Sequence, residues 1–152
     1  MPEQTATSVE QSDERLQQLV AEVVRPSFRR CRPHRSEFFD DFYASLSERA
    51  PGIGSLFSHV DMQMQNELIR QGVEQLIEFA AGNETAQQEL RRLGKSHGRG
   101  GLNVAPELYS VWVNTLMAIV RAHDPEADDK VEAAWRLTLS RGIELMASLY
   151  CC

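Results

Sequence analysis

His97 is the residue with the most chemistry to offer. It follows Leu90 and Leu93 on one helical face, and Gly98, Gly100 and Gly101 come directly after it. A lone histidine beside glycine is more often a loop residue than a ligand. Here, though, the imidazole would leave the end of a short helix next to apolar side chains. One neutral imidazole nitrogen, held at a fixed angle over an apolar slot, is what a haem iron requires. The glycines would let the chain turn away beneath the edge of such a planar group. Two neutral hydrogen-bond donors also stand out. Tyr43 shares an aromatic stripe with Phe39 and Phe42, where a tyrosine is more often plain core. Gln65 lies on a helix rich in glutamine, where the default is a solvated face. Of the other histidines, His34, His59 and His123, only His59 precedes this glutamine-rich helix closely, and solvent exposure is its commoner fate.

Other chemistry is excluded by count and charge. The three cysteines are Cys31, alone, and the adjacent Cys151 and Cys152, which form no disulfide framework. No Cys-x-x-Cys-His is present, so a haem would not be attached covalently in the usual way, and the terminal pair does not fit a prenylation box. Sixteen Lys plus Arg against 22 Asp plus Glu give a formal charge of −6. That balance lacks the basic excess of a nucleic-acid or anionic-membrane binder. No apolar run approaches the ~20 residues of a membrane span. The first residues have neither the basic start nor the apolar stretch of a signal peptide, so the expected location is the cytoplasm.

The elements that must position these residues read as helices. A chain of 152 residues, 42% hydrophobic and 25% charged, suits one globular domain with a proper core. No segment alternates for long, and hairpin turn pairs are missing. Helical spacing recurs instead. Leu16, Leu19, Val20, Val23 and Val24 form one stripe between Asp13 and Val24, after which Pro26 starts or kinks a turn carrying Phe28, and Pro33 ends it. A helix from about Arg35 to Arg49 buries Phe38, Phe39, Phe42, Tyr43 and Leu46. A short turn after Pro51 delivers Leu56 and Phe57. Asp61 caps the next helix, which carries Leu68, Ile69, Val73, Leu76 and Ile77 until Gly82-Asn83 stops it. A shorter helix runs from Glu84 to His97. Pro106 opens another, with Tyr109, Trp112, Leu116, Ile119 and Val120 inward, and Asp124-Pro125 ends it. The last spans about Glu126 to Tyr150, with Val131, Trp135, Leu139, Ile143 and Met146 on one face. Six or seven helices of unequal length do not make a four-helix bundle, which needs four long, similar ones.

With these residues in order, the sequence resembles a bacterial globin. The likeness runs through Ser27-Phe28-Arg29-Arg30-Cys31, Phe42-Tyr43, Leu56-Phe57, Asp61-Met62-Gln63-Met64-Gln65 and Leu93-Gly94-Lys95-Ser96-His97. It continues through Pro106-Glu107-Leu108-Tyr109, His123-Asp124-Pro125, Ala134-Trp135 and Gly142-Ile143-Glu144-Leu145-Met146. It covers about Leu16 to Tyr150 and is similar to the flavohaemoglobin and globin-coupled-sensor branch. The resemblance implies an all-α globin fold, a three-over-three helical sandwich with an N-terminal extension: residues 1–12 a flexible N-terminus and 13–152 the globin domain. It implies His97 as the proximal ligand to the iron of haem b (iron protoporphyrin IX). Phe57 takes the place of the phenylalanine that wedges the haem, and Gln65 the distal position, with Ile69 one turn later over the iron. The Phe57-to-Gln65 interval is one residue longer than the commonest globin spacing, which leaves Met64 as the other candidate. Phe42, Leu93, Val104, Trp112 and Leu116 would line the remaining haem contacts, with Lys95 and Arg99 as propionate partners. Tyr109 matches a tyrosine that hydrogen-bonds near the proximal histidine, whereas the acidic partner of that network is not evident.

A phenol and an amide at Tyr43 and Gln65 are neutral donors suited to dioxygen, which carries partial negative charge when bound. The implied function is reversible binding of dioxygen, and also of nitric oxide and carbon monoxide, for storage, transport or sensing. The alternative is a nitric oxide dioxygenase drawing on a separate reductase, since no flavin reductase or output domain is expected in a chain ending at Cys152. A third reading is a haem-free interaction protein on the same scaffold. The last two long helices are the usual globin dimer surface, which makes a homodimer the implied assembly.

Overall fold

The structure, a computed structural model, describes the backbone of residues 2–56 and 61–151 and the side chains of residues 11–53 and 61–151. Phe57 and His59 lie outside the described residues. The chain opens on a continuous helical rod: α1 (Pro2–Leu19), a π-helical stretch (Val20–Val24) and α2 (Arg25–Arg30). Pro26 marks the junction, yet the helix does not break there. A proline lacks the N–H for the bond four residues back, and its ring crowds that carbonyl. The wider π turn relieves the crowding, with the Arg25 N–H reaching Val20 O five residues back. The rod ends at Cys31, where Arg32 takes a φ of 54° ahead of Pro33.

Five more helices follow among the described residues besides the short α4 (Pro51–Leu56): α3 (Ser36–Arg49), α5 (Met62–Ala80), α6 (Glu84–His97), α7 (Glu107–His123) and α8 (Asp129–Ser148). Counting the opening rod once, these are the helices expected from the spacing. Their ends follow local chemistry. Asp61 caps α5 by accepting from Met64 N–H at 2.8 Å. Gly82, at φ 93°, ends it with the Asn83 N–H on Glu78 O and the Gly82 N–H on Phe79 O, both at 3.0 Å. Asn83 then caps α6 by accepting from Thr85 and Ala86 N–H at 2.9 and 3.2 Å. The last helix starts at Asp129, later than Glu126. Asp124 accepts from the Glu126 N–H to hold a turn, and Asp128 supplies the cap to Val131 N–H at 2.9 Å.

The helices stack three over three, with the opening rod, α5 and α6 against α3, α7 and α8. α8 packs along the π stretch, α5 and α6, while α3 packs on α5 and α7. Phe28 anchors an aromatic core, meeting Phe38, Phe39 and Trp135 edge-on at centroid distances of 6.2, 6.5 and 5.7 Å. Beside it runs a buried polar chain. Trp135 Nε1 donates to Ser27 Oγ at 2.9 Å, Ser27 Oγ donates to Asp124 Oδ2 at 2.7 Å, and Arg30 donates to both Asp124 oxygens at 2.6 and 3.0 Å. Cys31 lies buried nearby. Its thiol is pushed up to about 12, by burial first and by the Asp124 carboxylate second, and stays neutral and unreactive. No helix among the described residues is long and apolar enough to cross a membrane.

Candidate functional site

α6 delivers His97 at its last turn. The inward face of this helix is Ala86, Leu90 and Gly94, and it packs on α5 and α8. No comparable packing joins α6 to α3 or α7 among the described residues. The end of α6 that carries His97 is thus without comparable packing from α3 and α7. The half-buried His97 has its ring fixed by its own helix, Nδ1 lying 2.7 Å from Leu93 O. A carbonyl can only accept, so the proton sits on Nδ1 and the Nε2 lone pair is available. This is the arrangement of a metal-bound histidine whose other nitrogen is held by a carbonyl. The Ser96 hydroxyl, 3.3 Å from Nδ1, donates to the same Leu93 carbonyl at 2.9 Å. Among the described residues no group of three metal-ligating side chains exists.

α5 carries the next candidates. The Asp61 cap sets its register so that Gln65, Ile69 and Val73 face inward. Gln65 is 2% exposed, whereas Met64 is 56% exposed and points away. The two residues that spacing leaves open thus differ in burial. The Gln65 Nε2 is buried with no hydrogen-bond partner. On α3, Phe42 is fully buried and meets the half-buried Trp112 of α7 edge-on at 5.5 Å, and the next residue, Tyr43, is half-buried. Leu116, Ile69 and Val104 are buried, and Leu93 is half-buried against the core. Tyr109 is buried and desolvation pushes its phenol up, but His97 bonds Leu93 and Ser96 rather than this hydroxyl.

The cationic candidates lie at the surface. Lys95 and Arg99 are exposed, and the Arg99 guanidinium lies over the Tyr150 ring. Of the other histidines, His34 is exposed, and His123 Nε2 lies 2.7 Å from Asp41 Oδ2 with its ring edge-on to Phe38. Sequence reasoning passed over Asn103 and Tyr150, which tie the loop after His97 to the end of α8. The available signal was an asparagine in a glycine-rich loop, since asparagine tolerates the left-handed conformation found there. A separate shallow cavity of about 200 Å³ lies between α1, the α5–α6 turn and α8, beside the Asp13–Arg141 ion pair. None of the candidate residues lines it.

A solved protein from Pseudomonas aeruginosa, described as structurally highly homologous to a human haemoglobin, superposes on this chain with a TM-score of 0.80 at 36% sequence identity. The match covers 88% of this chain and 99% of the other. No family model matches the chain, and no curated protein does.

Proposed function

The chain belongs to the globin family, and on that footing we propose that it holds haem b through His97 and binds dioxygen, with nitric oxide and carbon monoxide as further ligands. The observation that carries this reading is the Gln65 amide, buried at 2% exposure with Nε2 unpaired. A buried donor without an acceptor costs about 1–3 kcal/mol. A polar ligand in the slot would supply the missing acceptor. The residues fit the cofactor in two further respects. His97 has its Nδ1 proton engaged by Leu93 O, leaving Nε2 for the iron. Ile69, Val104 and Leu116 offer apolar contact, and Phe42 and Trp112 a rigid aromatic wall. Phe57 is the proposed wedge.

When bound, the haem supplies an iron able to coordinate diatomic gases. The chain's own residues do the rest. His97 would hold the iron through Nε2, with Leu93 O setting the angle of its ring. Gln65 and Tyr43 would donate hydrogen bonds to a ligand that gathers negative charge, without placing an ion in the slot. We assign Arg99 and Lys95, exposed beside the end of α6, to the propionates. The test is the purified chain reconstituted with haem and assayed as its pyridine haemochrome. About one haem b per chain is expected, with His97→Ala losing it or holding it weakly with an altered ferrous carbon monoxide spectrum. Unchanged haem content and spectrum in His97→Ala would reject the ligand assignment.

A further inference from the structure

The first turns of α5 touch the rest of the protein in few places. Of residues 62–68 only Gln65 and Asn66 are not exposed. Asn66 carries a tie to a second helix: its Nδ2 donates to Asp40 Oδ1 of α3 at 2.6 Å, a partly buried bond. A carboxylate oxygen can only accept, so the amide cannot turn over without setting two oxygens against each other. The Asn66 Oδ1 is buried with no partner of its own, which leaves the Asp40 bond to fix the amide. Both ends of this bond adjoin the donors assigned to the gas ligand. Asn66 follows Gln65 directly, and Asp40 precedes Tyr43 by three residues on one face of α3.

We propose that Asp40 and Asn66 are positioning residues for Gln65 and Tyr43, a proposal that rests on the haem reading above. The other fixed points of α5 lie at its cap and deeper in the core. Asp61 accepts from Met64 N–H, and Ile69 and Val73 are buried one and two turns beyond Gln65. Between them, the bond to Asp40 settles how the turn that carries Gln65 is rotated toward α3. Helix ends fray, and a turn exposed on its other sides has little else to hold it. A hydrogen bond weakens steeply as its length and angle depart from the ideal. Two donors that converge on one small ligand therefore demand a fixed spacing between α3 and α5. The Asp40–Asn66 bond sets that spacing, acting on the ligand through Gln65 and Tyr43.

Asp40→Ala removes the acceptor and Asn66→Ala the donor, while Asp40→Asn removes the charge and keeps an acceptor. In the haem-free chain, amide hydrogen exchange of residues 65–69 should quicken about two- to tenfold in both alanine variants, the scale of one lost hydrogen bond. In the haem-loaded chain the readout is the carbon monoxide stretching band of the ferrous form. A donor aimed at the bound gas lowers that frequency, so the alanine variants should show the band raised or split. Dioxygen should leave them about two- to tenfold faster. Asp40→Asn should keep the wild-type band, and the double alanine variant should match either single. Quickened exchange with an unmoved band in both alanine variants would overturn the proposal, because the bond would then only hold the helices together. Unchanged exchange would overturn it as well. A wild-type chain that takes up no haem would reject the haem reading itself, and this role with it, before any variant is compared.

Discussion

The hydrogen bond at Nδ1 decides what the His97 imidazole can do. A carbonyl can only accept, so Nδ1 carries a proton toward Leu93 O and Nε2 is the nitrogen left to bind a metal. That much follows from a histidine four residues after a helical carbonyl, and His97 stood out in the sequence for its place after Leu90 and Leu93. Gln65 was less legible. Glutamine has no inherent reason to be inside, and the glutamines at 63, 65 and 71 look alike on paper. Only the register set by the Asp61 cap turns Gln65 inward and leaves Met64 outside. Tyr43 offers the sharper test because its loss removes a donor and little volume. Tyr43→Phe should raise the dioxygen dissociation rate by about tenfold or more, the scale of one hydrogen bond to a partly charged acceptor. Carbon monoxide is less polarised and should dissociate at a nearly unchanged rate. Flash photolysis and stopped-flow exchange measure both, and equal effects on the two gases would make Tyr43 a steric element. Gln65→Leu should act in the same direction and also stabilise the haem-free chain by about 1 kcal/mol, since it removes an unpaired buried amide.

Helices are legible where their ends carry chemistry and less so where they run through a conflict. α6 spans Glu84–His97 as the spacing predicted, because Asn83 and Gly98 bracket it. Pro26 reads as an interruption, but the rod continues through a π turn, a local adjustment that no residue pattern announces. Close approach between helices is likewise invisible in sequence, and two helical glycines separate the cases. Gly94 of α6 faces α8 so closely that an added methyl would sit 3.0 Å from the Met146 Cα, a backbone atom, and 3.0 Å from Leu149 Cδ1. Gly72 of α5 has nothing within 4 Å of the same position. Gly72→Ala should therefore stabilise the chain by up to about 1 kcal/mol through helix propensity alone. Gly94→Ala should destabilise it by about 1–2 kcal/mol, since overpacking against backbone outweighs that gain. It should also weaken haem retention, because α6 must move off α8 and takes His97 with it. Urea midpoints of the two haem-free variants check the opposite signs. A stabilised Gly94→Ala would mean the α6–α8 contact yields freely.

At the scale of the whole molecule, one carboxylate joins parts of the chain that no local pattern connects. Asp124 follows α7, yet it accepts from Ser27 and Arg30 of α2, and through Ser27 it reaches Trp135 of α8. In the sequence it reads as a helix stop before Pro125, which it is, and nothing there reports its long-range partners. Its side chain is fully buried, so desolvation alone would raise its pKa. The hydrogen bonds from Arg30, Ser27 and the Glu126 N–H outweigh that penalty and hold it below the ordinary 3.8. A folded-state pKa below the unfolded one means that folding favours the ionised carboxylate. The stabilisation is then fully present above the unfolded value and is lost as pH falls through the folded one. Stability of the haem-free chain should accordingly fall as pH drops from about 5 to about 2, measured by urea unfolding at a series of pH values. Asp124→Asn removes the charge while Arg30, 27% exposed at its side chain, keeps partial access to water and a second partner in Glu126 at 3.2 Å. The cost at neutral pH should therefore lie near the lower end for a broken buried pair, about 3 kcal/mol. The decisive comparison is the slope. Between about pH 5 and 2 the variant should lose less stability than the wild type, so that the two curves converge toward acid. Parallel curves would place the acid sensitivity in other carboxylates, such as Glu67 and Glu132, which neighbouring arginines also hold below their ordinary range.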